Sequence, residues 1–252
     1  MGLSGAFLAG LLGVGGAIVM IPLLLYVPPL LDVGTLSVKA VAGITIVQVL
    51  TAATSGMLAH RRHKSVNAEL ALVGGLAMAS ASFVGAFGSY YVYDRWLLLV
   101  FAVMVTLAGA LLLLPVETIA PAVPVEEPRR FSRPRTAIVC SSVGLGAGLV
   151  GAGGAFLLVP LLLVVVGVPI RVTIGSSLAI TALSSLTGVI GKLVTGQIPY
   201  ESALIVAVGA VPGAQLGAAV SRRLTGDQLK LTLAIIIIVI ALRVWWDVLT
   251  YH

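Results

Sequence analysis

An apolar stretch broken by glycines occurs twice in this 252-residue chain, and it limits the fold more than any other feature. The first copy reads Gly13-Val14-Gly15-Gly16-Ala17 and continues to Pro22-Leu23-Leu24-Leu25. The second reads Gly151-Ala152-Gly153-Gly154-Ala155 and continues to Pro160-Leu161-Leu162-Leu163. A glycine in a helix costs about 1 kcal/mol against alanine, and proline removes a backbone donor. Paired interruptions at matching positions of two halves point to the binding site of a transporter.

The surroundings of the motif set the solvent. The chain is 59% hydrophobic and 10% charged, with a mean hydropathy of +1.14. A water-soluble domain of this length cannot hide so much apolar surface, so the composition predicts a polytopic membrane protein. The net charge of +6 does not call for nucleic acid, because the basic residues fall in short loops, as membrane topology demands. The single cysteine, Cys140, excludes an intrachain disulfide and a cysteine-based metal site. No basic segment precedes the first apolar run, which argues against a cleaved signal peptide. Position 6 is Ala, so the myristoylation pattern fails.

Residues 3–31 form the first apolar stretch, followed by spans at about 40–59, 68–92 and 96–114. Residues 115–136 hold five prolines, three glutamates and four arginines and read as a cytoplasmic linker. The order then repeats as a glycine-motif stretch at 137–168 and spans at about 173–195, 202–220 and 229–246. The reading is two transmembrane repeats, 1–114 and 137–252. A shift of 132 aligns Gly43 with Gly175, Gly56 with Gly188, Glu69 with Glu201, Gly85 with Gly217 and Ser89 with Ser221.

Residues 137–168 would form a helix roughly 48 Å long, against a hydrocarbon core of roughly 30 Å. Two half-helices broken at 149–154 would instead enter and leave on one side. If all eight stretches cross, with the N-terminus inside, nine of the 15 Lys and Arg lie in the cytoplasm and six outside. If both motif stretches are re-entrant, the split is eleven to four, which the positive-inside rule prefers. The predicted fold class is therefore an all-α membrane protein of two inverted repeats. Each is a broken or re-entrant glycine-motif helix plus three transmembrane helices. Sequence leaves open whether the first motif stretch is re-entrant or a full span.

A half-helix starting near Gly16 or Gly154 would aim free N–H groups and a positive dipole end into the membrane midplane. That suits an anion without a charged side chain, while close helix packing is the competing use of such glycines. Candidate substrate-binding residues are Gly15, Gly16, Gly153 and Gly154. Thr45, Gln48, Ser176, Ser177 and Gln215 join them as small or uncharged polar groups in the spans. Glu69 and Glu201 read as solvated carboxylates at helix starts, with proton coupling the less favoured role. Lys192 reads as a span-end lysine that snorkels. Gly146-Ala147-Gly148-Leu149-Val150-Gly151 matches the dinucleotide fingerprint, but no strand precedes it and Arg171 stands where an acid should. No HExxH, Walker A or Cys/His cluster is present. With no nucleophile-base pair or metal set at depth, an intramembrane enzyme is the least favoured class.

The doubled Gly-x-Gly-Gly-Ala-x4-Pro-Leu-Leu pattern resembles the TauE/SafE sulfite-exporter family. Gly175-Ser176-Ser177-Leu178 is similar to that family's Gly-Thr-Ser-Leu element, whereas the first copy reads Gly43-Ile44-Thr45-Ile46. The resemblance covers both halves but not the linker. It implies transport of sulfite, a sulfonate or a related anion across the cell (inner) membrane, without a cofactor. The partners expected are a small anionic substrate, the lipid bilayer and a coupling proton or ion. An uptake permease for another small organic anion, or a membrane scaffold without substrate, remains open at this stage.

Overall fold

The computed structural model describes residues 2–30, 34–61, 66–113 and 131–250, and the regular structure among them is all helical. In the first half, α1 (Gly2–Leu12) and α2 (Ala17–Leu30) flank the first glycine motif. They are followed by α3 (Val38–Arg61), α4 (Ala68–Gly88) with a 3-10 turn at Ser89–Tyr91, and α5 (Asp94–Leu113). In the second half, α6 (Arg133–Val150) and α7 (Ala155–Leu161) flank the second motif, and α7 runs into a π turn at Leu162–Val166. The chain ends with α8 (Ile170–Val194), α9 (Tyr200–Ser221) and α10 (Gly226–Thr250). Among the described residues, six helices, α3, α4, α5, α8, α9 and α10, are long and apolar enough to cross a membrane.

Local chemistry sets several boundaries. Asn67 caps α4, its side chain accepting from the Leu70 N–H at 2.9 Å. Pro134 lies in the first turn of α6, where its missing N–H would have been unpaired anyway. Residues 133–136 form the first turn of α6. Most of the linker, residues 115–130, lies outside the described residues.

Helix pairing crosses between the halves. α1 packs on α9 and α6 on α4, each pair in close backbone contact through glycines. Gly217 abuts Phe7 and Gly10 abuts Ala214, whereas Gly85 abuts Leu145 and Gly148 abuts Ser82. These are the same contacts seen once from each repeat. The rule extends to side chains. Ser55 Oγ donates to the Val211 carbonyl (3.3 Å), and its counterpart Thr187 Oγ1 donates to Ala79 O (2.7 Å). Small residues that admit close backbone approach are the usual glue of helices in lipid, where burial of apolar area gives no drive.

The same contacts give chain direction. Gly56 faces Leu178 and Gly188 faces Ile46, so α3 and α8 cross antiparallel. Gly144 meets Met78 and Gly148 meets Ser82, so α6 runs parallel to α4. Gly75 meets Leu183 and Gly191 meets Ala86, so α8 also runs parallel to α4. α6 and α8 thus share a direction, and the Leu149 carbonyl at the end of α6 lies 3.5 Å from Lys192 Nζ near the end of α8. The segment between them must return to the starting end of the bundle. The first half behaves alike: α1 parallels α9, and α9 parallels α3 through the contacts Gly43–Gln197 and Ser55–Val211.

The bundle therefore has two ends. One carries the starts of α4 and α6, joined where Arg133 Nε donates to Glu69 Oε1 at 2.8 Å. The other carries the 3-10 turn and the start of α3, where Val38 N–H donates to Asp94 Oδ2 at 3.0 Å. The core between them is built from both motif stretches, including Val14, Ile18, Met20, Ala152 and Leu158. Outer faces, such as Leu204, Ile205 and Val208 on α9, stay exposed and suit lipid.

Candidate functional site

At the breaks, six glycines take the left-handed conformation in two matched sets. Gly13, Gly15 and Gly16 have φ of 72°, 74° and 76°, and Gly151, Gly153 and Gly154 have 74°, 63° and 73°. Other residues pay about 1–2 kcal/mol there, which explains glycine at these positions. α2 begins with Val19 and Met20 bonded to Gly16 O, and α7 with Leu157 and Leu158 bonded to Gly154 O. Backbone N–H groups ahead of these lack acceptors within their helices.

The two breaks touch. A Cβ placed on Gly15 would lie 3.4 Å from Ala155 Cβ, 3.3 Å from Val49 Cγ1 and 3.5 Å from Thr181 Cγ2. A Cβ on Gly153 would meet the same Val49 and Thr181, together with Ser185 Oγ at 3.0 Å. Val49 and Thr181 are repeat counterparts on the antiparallel pair α3 and α8. The breaks therefore converge where those helices cross.

Unpartnered polar groups lie on the helices that carry and flank this crossing. Among the described residues, buried side-chain atoms without a hydrogen-bond partner are Thr45 Oγ1, both amide atoms of Gln48, Ser82 Oγ, Thr181 Oγ1, Ser184 Oγ and Ser185 Oγ. An unsatisfied buried polar group costs about 1–3 kcal/mol, so such a concentration calls for a ligand or water. Gln48 Nε2 stands 3.0 Å from where a Gly16 Cβ would be. Ser82 Oγ stands 3.0 Å from the corresponding point on Gly188, one helical turn along α8 from Ser185.

The scaffold is symmetric but its chemistry is not. α8 contributes Thr181, Ser184 and Ser185, where α3 has Val49, Ala52 and Ala53. α3 contributes Gln48, where α8 has Ile180. The arrangement sets a lopsided group of neutral, buried hydrogen-bonding side chains beside the left-handed backbone of both breaks. Such a group can hold a small oxyanion and has no nucleophile and base pair for catalysis.

The expected site residues separate in space. Gly15 and Gly153 come to the crossing, and Gly16 packs on Gly5 with Gln48 Nε2 beside it. Thr45 is buried with its Oγ1 unpartnered. Gly154 lies behind it, packed on Met78, Val143 and Ala147. Ser177 Oγ donates to Gly13 O (3.1 Å) and Ile174 O (3.0 Å), tying down the edge of the first break. Ser176 Oγ accepts from Asn67 N–H (3.0 Å) and holds the start of α4. Gln215 is on the exposed face of α9, away from the others. Thr181, Ser184 and Ser185 belong to the serine-rich span, but sequence did not rank them above their neighbours, and Ser82 gave no signal.

Lys192 departs furthest from expectation. It does not snorkel: its side chain is fully buried and donates to Ser89 Oγ (2.9 Å) and Gln197 Oε1 (3.3 Å). Glu69 is exposed and paired with Arg133, in keeping with a solvated helix-start carboxylate.

The pattern of the sulfite exporter TauE/SafE family matches residues 1–244. The chain belongs to that family. A probable membrane transporter protein of Xylella fastidiosa (strain Temecula1 / ATCC 700964) is 30% identical, over 95% of this chain and 90% of its own length. The probable membrane transporter protein YunE of Bacillus subtilis (strain 168) is 24% identical, over 98% of this chain and 96% of its own. A probable membrane transporter protein of Haemophilus influenzae is 25% identical over 97% and 96%. No solved structure matches the chain. As a TauE/SafE member with six helices of membrane-crossing length, the protein is a multi-pass membrane transporter and not an enzyme.

Proposed function

We propose that the protein is a secondary transporter that exports a small sulfur-containing anion, such as sulfite or a sulfonate. The anion binds where the two glycine breaks meet, and access alternates between the two ends of the bundle. The observation that carries this reading is the set of unpartnered buried polar groups, Gln48, Thr181 and Ser185 foremost, beside left-handed backbone from both repeats. An oxyanion accepts several hydrogen bonds at once and would satisfy hydroxyls, an amide and backbone N–H groups together. Sulfur comes from the family alone.

The repeats are read as inverted across the membrane. The antiparallel crossing of α3 and α8 supports a pseudo-two-fold axis perpendicular to the helices, which suits alternating access. The Glu69–Arg133 end is read as cytoplasmic, from the eleven-to-four division of basic residues.

The test is flux in sealed vesicles reconstituted with purified protein and loaded with sulfite or a small sulfonate. Protein-dependent efflux that competes with other small oxyanions is the expected result. No substrate-dependent flux would make the chain a scaffold, and movement of a cation instead would refute the anion site.

A further inference from the structure

Lys192 is a buried lysine whose contacts are all neutral. Its ammonium reaches Ser89 Oγ (2.9 Å), Gln197 Oε1 (3.3 Å) and the Leu149 carbonyl (3.5 Å). Those three acceptors match the three protons of an ammonium and supply no counter-charge to it. Its exposure is 0%. The ion pair among the described residues is Arg133–Glu69, at the opposite end of the bundle. Asp94, the carboxylate near the 3-10 turn, accepts from Val38 N–H. A second lysine stands at the same turn, since Lys39 Nζ donates to Tyr90 O (2.7 Å). The turn Ser89–Tyr91 is thus contacted by two lysines.

An ionisable residue inside a membrane helix is expensive and marks an ion path when no structural partner neutralises it. Lys192 is seven residues beyond Ser185 on α8, which is roughly 10 Å along the helix axis. It touches the last turn of α6, two residues before the second break begins at Gly151. It therefore lies between the crossing and the end of the bundle that carries the 3-10 turn.

We propose that Lys192, with Ser89 and Gln197, forms a second anion-binding station on the route between the glycine breaks and this end of the bundle. The counter-charge absent from the protein is supplied by the passing oxyanion. Ser89 and Gln197 hold the ammonium in place when no anion is there. The inference rests on the anion reading of the central site but assigns a separate charged step to it.

The experiment compares wild type, Lys192→Gln and Lys192→Arg, using sulfite as the probe. Gln retains donors for Ser89 and removes the charge, whereas Arg retains the charge. Binding is read from the sulfite-dependent rise in melting temperature of the purified proteins, and transport from efflux in reconstituted vesicles. Lys192→Gln is expected to fold, to weaken apparent sulfite affinity by about tenfold or more, and to recover at least in part with Arg. Unchanged sulfite affinity in folded Lys192→Gln overturns the proposal and leaves the central site standing. A wild-type protein whose melting temperature does not respond to sulfite overturns it too. A charge-dependent response without any flux would instead sustain the Lys192 station and sink the transport reading. If Lys192→Gln does not fold, Lys192→Arg together with Ser89→Ala decides. Loss of sulfite response in Ser89→Ala, with Arg retaining it, supports the station; a wild-type response in Ser89→Ala overturns it.

Discussion

The four glycines nearest the crossing are not interchangeable. A methyl at Gly16 would strike the Gly5 carbonyl, and one at Gly153 would strike Val49 Cγ1. Loss of transport in Gly153→Val would therefore report packing as much as ligand contact. Gly15 is the cleaner probe, because its three nearest atoms lie at 3.3 to 3.5 Å and can give way slightly. Gly15→Ala should lose most sulfite efflux while costing about 1–2 kcal/mol in stability from its positive φ, read by melting temperature. Gly109→Ala, whose added methyl meets Ile237 Cγ2 at 3.2 Å far from both motifs, should transport normally. Relieving the clash gives a second check. Gly153→Ala combined with Val49→Ala should recover yield of folded protein relative to Gly153→Ala alone, but not its flux. Wild-type flux in that double variant would reduce the glycines to packing residues.

Helix pairs in this protein are held by close backbone approach more than by large side chains. In α1–α9, an added Cβ on Gly217 would overlap the Phe7 carbonyl, so Gly217→Leu should leave little monodisperse protein after extraction. Gly88 is the contrast, at the end of α4 with nothing within 4 Å, and Gly88→Ala should extract like wild type. α7 is buttressed differently, by Phe156 in an edge-on contact with Phe101 of α5 at 5.9 Å between ring centroids. Phe156→Ala would leave a cavity worth about 3–5 kcal/mol in a packed interior, where Ala155 to Pro160 are all buried. A lowered melting temperature with efflux reduced in proportion is the expected outcome.

The whole molecule predicts its own sidedness. With the Glu69–Arg133 end in the cytoplasm, the loop after α9 faces inward and the turn before α5 faces outward. In a Cys140→Ala background, Tyr93→Cys should react with a membrane-impermeant thiol reagent in intact cells. Asp227→Cys should react only after permeabilisation. Both positions are exposed, so accessibility within the protein does not confuse the result. External labelling at residue 227 would overturn the inverted arrangement.

Much of this architecture was legible in the residues. Membrane residence, the duplication, the positions of both breaks and the asymmetric charge all follow from patterns local in sequence. Glycine, proline and long apolar runs act on their own few residues, wherever the rest of the chain goes. Which polar groups are engaged could not be read that way. Ser177 and Thr45 are repeat counterparts of similar chemistry, yet Ser177 is bound to Gly13, 164 residues away, and Thr45 is bound to nothing. Lys192 looked like a span-end residue because sequence shows distance along a helix and not what packs over it. The repeat shift places His60 at the corresponding position of α3, so the halves differ in the basic residue they carry there. Gln215 and Gln48 are the same residue type in equally apolar spans; the side of the helix facing the crossing put one in the core and the other outside. The sequence alone determined that two broken helices exist, because breaking a helix is a local event. Only the tertiary structure decided that the breaks meet, and which side chains meet them, because a hydrogen bond is satisfied or orphaned by partners far along the chain.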